Sequence, residues 1–172
     1  MKRVIAIVLA ALFMASLMAA CGDNTKTDDA KTETTAAAQN DANTVDLGAV
    51  LNDINTKFNI SGLKVLSSTD DLNKYYQINA DDVKQFAAEL TTAAKQYTDI
   101  VIVEAKDQTA VANVKKALED HLDTKLGEAK SYDAEQASML EACSVKVSGN
   151  YVYLVVSDQA AEINSAIEAA IK

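Results

Sequence analysis

Reactive side chains are scarce in these 172 residues: two cysteines, Cys21 and Cys143, and a single histidine, His121. Thiolate and imidazole are the commonest nucleophile, base and zinc ligand, so such chemistry has few places to reside. If Cys21 is engaged elsewhere, Cys143 has no partner within the chain. That excludes a disulfide framework and any Cys–Cys or Cys–His zinc pattern. The five glycines are scattered and form no phosphate-cradling loop. Carboxylates are abundant, so an unrecognised pair acting as acid and base, as in a cell-envelope hydrolase, is the enzymatic alternative. Without such a pair in view, the expectation is a protein that is not an enzyme and carries no metal or cofactor.

The first stretch to position is the one around Cys21. Lys2 and Arg3 precede an uncharged run from Val4 to Ala20, which ends Leu17-Met18-Ala19-Ala20-Cys21. A basic start, an apolar run and small residues before a cut site read as a secretory signal over residues 1–20. The cysteine directly after Ala19 and Ala20 resembles the lipobox of bacterial lipoproteins. That resemblance implies cleavage before Cys21, lipidation of its thiol, and anchoring at the extracytoplasmic face of the cell membrane. Residues 21–43 then form a flexible linker rich in Thr, Asp, Ala and Asn, spanning about 25 Å. Its Asp23, Asp28 and Asp29 read as solubilising groups. The formal net charge of −9 becomes more negative once Lys2 and Arg3 leave with the signal. Nucleic acid is excluded as a partner, since phosphates need clustered Lys and Arg. Membrane attachment therefore rests on the acyl chains.

A folded domain is expected over residues 44–172. Leu47, Val50, Leu51, Ile54 and Phe58 recur at helical spacing after possible caps at Thr44 or Asp46. Ser68 caps a short helix bearing Leu72, Tyr75 and Tyr76, its tyrosines docked on the core with hydroxyls at the edge. Val83, Phe86, Leu90 and Ala94 favour a helix by spacing. Ile100 to Val103 are β-branched and apolar on both faces, as an interior strand requires. The longest helix runs from Gln108 to about Glu128 on a stripe of Val111, Val114, Leu118, Leu122 and Leu126. His121 borders that stripe as a partly exposed residue. Lys115/Glu119 and Lys116/Asp120 form i,i+4 pairs on its wet side. Asp133 caps a short helix with Met139 and Leu140 inward, and Tyr132 is placed to staple onto Ala137.

Gly149-Asn150 is a two-residue hairpin turn. It sets Val147 opposite Val152, Val145 opposite Leu154 and Cys143 opposite Val156, all on one apolar face. Cys143 is thereby a core residue and not a nucleophile. Ser144, Lys146, Ser148, Tyr151 and Tyr153 share the other face. Ser157 caps a last helix whose Ile163, Ile167 and Ile171 can cover the apolar side.

From Asp46-Leu47 through Thr98-Asp99-Ile100, Glu104-Ala105-Lys106-Asp107 and Gly149-Asn150-Tyr151-Val152, the chain resembles a family of Gram-positive lipoproteins described as domain of unknown function 4358. The resemblance implies an extracytoplasmic lipoprotein and supplies no catalytic residue. It also favours a strand over residues 83–92, against the helical spacing. The fold expected is α+β, a mostly antiparallel sheet of about four strands with helices packed on one face. The function expected is a non-enzymatic binding or interaction module. Ser144, Lys146, Tyr151 and Tyr153 are its candidate contact surface, for a cell-wall glycan, a peptide or an envelope protein.

Overall fold

The structure is a computed structural model and describes residues 45–94 and 96–172. The signal, Cys21, the linker and Thr44 lie outside the described residues. Among those described, five strands form one antiparallel sheet: β1 (Lys64–Leu66), β2 (Val83–Leu90), β3 (Asp99–Ala105), β4 (Lys146–Ser148) and β5 (Tyr151–Val156). Their order across the sheet is β1-β2-β3-β5-β4. The helices are α1 (Leu47–Phe58), α2 (Thr69–Tyr76), α3 (Gln108–Tyr132), α4 (Ala134–Ala142) and α5 (Ala160–Ala170). The α+β class holds, and β1 is a fifth strand too short for any period to reveal.

Local chemistry sets the helix starts. Asp46, Ser68, Asp107 and Asp133 each accept a backbone N–H at an N-terminus. The last helix differs: Ser157 accepts from Gln159 N in the turn before α5, and Gln159 takes the cap position without a side-chain bond. Tyr132 makes no staple, being 74 % exposed. Residues 83–90 are strand, not helix. β2 pairs with β1 on one side and β3 on the other, and its Ala87 and Ala88 enter the cores on opposite faces while Lys84 stays exposed.

Every residue of β3 is buried. Its odd-numbered side chains, with Ala88, Leu90, Val152, Leu154 and Val156, meet α2, α3 and α4 in one core. Its even-numbered Ile100 and Ile102, with Ala87, Tyr153 and Val155, meet α1 and α5 in a second. Helices therefore cover both faces, which corrects the one-faced arrangement expected above. The physical reason is that β5 is apolar at both parities: Val155 and the Tyr153 ring want cover as much as Leu154 does. Ile163, Ile167 and Ile171 of the last helix supply it. Burying each such side chain contributes about 1.5–3 kcal/mol.

The hairpin register is as the turn demands, Val147 opposite Val152, with Gly149 at φ 58°. Asn150 is not at positive φ, so the backbone follows the II′ pattern with Gly first. The ladder stops at Lys146, however, and Cys143 and Val145 lie before the strand.

Candidate functional site

The charges at the two ends of β3 are both buried, and each has been answered. Glu104 accepts from Lys84 Nζ at 2.7 Å and from Gln85 Nε2, on the α1/α5 side. Asp99, on the other side, pairs with His121: Nε2 lies 2.8 Å from Asp99 Oδ2, with side-chain exposures of 11 % and 4 %. His121 is partly exposed at the border of the stripe, as expected, and the pairing with Asp99 is what the sequence did not announce. His121 follows Leu118 by three residues and Val114 by seven, both on the buried stripe. Helical spacing thus turns the imidazole inward, onto the head of β3.

The third member is Tyr76, which ends α2. Its ring centroid lies 4.6 Å from that of His121, with planes 53° apart. Leu72, one turn earlier, is fully buried and fixes this face of α2 to the sheet. The Tyr76 hydroxyl is buried and has no hydrogen-bond partner among the described residues. Burial pushes the phenol well above its usual range, and the Asp99 and Glu89 charges push the same way. It is therefore a neutral donor without an acceptor, and not an edge hydroxyl as expected. Tyr75, half-buried, does meet the edge: Lys64 Nζ donates to its hydroxyl at 2.9 Å.

A pocket of about 480 Å³ lies between the end of α2 and the exposed turns of α3. Leu90, Asp99 and His121 line it with Tyr76, while Lys116, Asp120, Lys125 and Glu128 supply its charges. Lys116 and Asp120 are bonded to one another, and Lys125 sits 5.6 Å from the Tyr97 ring centroid. Among the described residues, no Ser, Thr or Cys side chain hydrogen-bonds to His121. Nor, among the described residues, is a group of three or more His, Cys, Asp or Glu placed to hold a metal ion. What the arrangement supplies is a set of hydrogen-bonding groups fixed by packing.

The residues named from the sequence are elsewhere. Ser144 and Lys146 are exposed near the β4 edge, Tyr151 is half-buried, and Tyr153 is 1 % exposed. The Tyr153 hydroxyl donates to Glu168 Oε1 at 3.0 Å beneath α5, and its own burial pushes it far above the ordinary phenol range. Since α5 covers this side, the four do not form an open face, and Tyr153 is withdrawn from the contact surface. Nothing in their alternation distinguished a wet face from one awaiting a helix.

Cys143 ends α4 and packs half-buried against the α3/α4 core, its thiol donating to Met139 O at 3.2 Å. Burial pushes the thiol up, and the Asp158 charge adds to this, while a backbone hydrogen bond from Ser157 opposes it. A raised thiol with limited access is a poor nucleophile. A thiol reagent should label the native protein at least tenfold more slowly than the denatured one. Equal rates would show Cys143 to be open and reactive.

A model of the family described as Domain of unknown function (DUF4358) matches residues 58–157. The match takes in all five strands and every residue lining the pocket, and it leaves α5 and nearly all of α1 outside. No curated protein and no solved structure matches the chain.

Proposed function

The chain belongs to the DUF4358 family, and on that premise we propose that it is a lipid-anchored extracytoplasmic binding module whose ligand sits between α2 and α3. The observation that carries the binding role is the buried Tyr76 hydroxyl, left without a partner beside the Asp99–His121 pair in a pocket. An unmade hydrogen bond of this kind costs about 1–3 kcal/mol, a cost that makes sense where a ligand completes the set. The volume lies within the roughly 300–1,000 Å³ of small-molecule sites.

The anchoring half of the proposal rests on the stretch from Lys2 to Cys21. Cys21→Ser should move the protein from the membrane to the soluble fraction, or leave an uncleaved precursor. A variant that is cleaved and retained like the parent would reject Cys21 as the attachment point. The binding half is tested by amide-shift mapping of the purified protein against a panel of neutral, acidic and basic small molecules. Shifts should concentrate on residues 75–77 and 113–128. If every binder in the panel maps elsewhere, the pocket is not the ligand site.

A further inference from the structure

The unmet hydrogen-bonding needs of the pocket are specific enough to choose among ligand classes, given the binding role proposed above. We infer that the pocket takes a neutral sugar ring, two adjacent hydroxyls of which bridge Tyr76 and Asp99.

Tyr76 Oη is a donor without an acceptor among the described residues. Asp99 uses Oδ2 for His121, and its Oδ1 makes no hydrogen bond among the described residues. Both residues line the pocket and the Asp99 charge acts on the Tyr76 hydroxyl, so the two lie close enough for one ligand to serve both. An anionic group would meet the Asp99 carboxylate, with Asp120 and Glu128 nearby in the lining. An ammonium brings donors alone and leaves the Tyr76 proton without an acceptor. A hydroxyl both donates and accepts, so adjacent hydroxyls satisfy Asp99 and Tyr76 together. The rest of the lining suits the other side of a sugar: Leu90, Ala117 and the half-buried Tyr75 offer apolar surface to ring C–H groups. The charged residues do little to oppose a neutral ring, because Lys116 and Asp120 are already paired.

The test uses four probes of related shape on the full-length protein, with amide-shift titration as the readout. N-acetylglucosamine oligomers are the neutral sugar, glucuronate and glucosamine carry a charge on the ring, and glycylglycine supplies a peptide. The neutral sugar should shift residues 75–77 and 113–128, and glucuronate, repelled by Asp99, Asp120 and Glu128, should bind at least tenfold more weakly. Tyr76→Phe should lose about tenfold or more in affinity, the equivalent of 1.4 kcal/mol. The same change should raise the Tm of the ligand-free protein, because it removes a buried hydroxyl with nothing to bond. A merely structural tyrosine would lower it. Thr124→Tyr, at an exposed lining position, provides a second blocked variant that leaves the floor intact. Binding of glycylglycine or a charged ring at these residues, with the neutral sugar inert, overturns the sugar assignment and leaves the binding pocket standing. Silence from all four probes overturns the sugar assignment alone, and the pocket is then judged on the wider panel. A lowered Tm in Tyr76→Phe, or unchanged sugar affinity in both variants, overturns the hydroxyl bridge.

Discussion

His121→Ala should cost about 3–5 kcal/mol of stability in urea unfolding, the usual penalty for removing one partner of a buried polar pair. The carboxylate left behind, Asp99, has a side chain only 4 % exposed and would keep no hydrogen-bond donor. The imidazole also fills space against the Tyr76 ring, so part of the cost is lost packing. The two contributions separate in a double variant. Asp99→Asn combined with His121→Ala removes the stranded charge and should recover at least about 1 kcal/mol relative to His121→Ala alone. A cost below about 1 kcal/mol for His121→Ala would mean that water reaches the pair freely, as at a surface ion pair.

Glu89→Gln should act in the opposite direction and stabilise the protein by about 1–3 kcal/mol near neutral pH. Glu89 is 3 % exposed on the α1 side of the sheet and accepts one hydrogen bond, from Asn55 Nδ2 at 3.0 Å. Its other oxygen and the Asn55 carbonyl oxygen are both buried without partners among the described residues. A glutamine keeps the first bond and replaces the unserved oxygen with an N–H donor beside the one acceptor still unserved, Asn55 Oδ1. Burial also pushes the Glu89 carboxyl above its ordinary 4.5, although the Asn55 bond pulls it back in part. As pH rises, the unfolded chain releases this proton first. The folded state therefore holds more protons between the ordinary value and the raised one, and stability falls as pH climbs through that window. Glu89→Gln should flatten the fall. A parent whose stability is constant from about pH 4.5 to 7, or rises, would contradict the buried-acid account.

Where a rule acts over a few residues, the sequence was enough to place the element. Asp46, Ser68, Asp107 and Asp133 cap as their positions imply, Gly149-Asn150 sets Val147 opposite Val152, and the apolar run of β3 lies in the interior. The spacing of Val83, Phe86 and Leu90 suits a helix as well as a strand, and the family resemblance chose correctly between them. Which side of the sheet receives α5 was not legible. Tyr151-Val152-Tyr153-Leu154-Val155-Val156 offers apolar surface at both parities, and treating tyrosine as polar assigned Tyr153 to water. The candidate pocket was hidden for a different reason. Asp99 and His121 are 22 positions apart on different elements, and no local period links them. A signal did exist, since an acid heading an otherwise buried strand requires a partner, and a lone histidine in phase with Leu118 and Val114 can provide one.

Both rims of the sheet are made of three-residue strands, β1 and β4, with Val65 62 % and Val147 45 % exposed. Each rim strand also carries an exposed lysine, Lys64 or Lys146. Tethered molecules of the kind proposed meet their neighbours far more often than free ones, because diffusion is confined to a plane. Unpaired backbone in such a crowd is an invitation to fibril growth, and a rim of three residues ending in an ammonium offers few rungs and a like charge to the next copy. Short, lysine-bearing borders let many copies stand side by side without knitting together. Lengthening either border with apolar β-branched residues would be expected to turn a dispersed coat into aggregates.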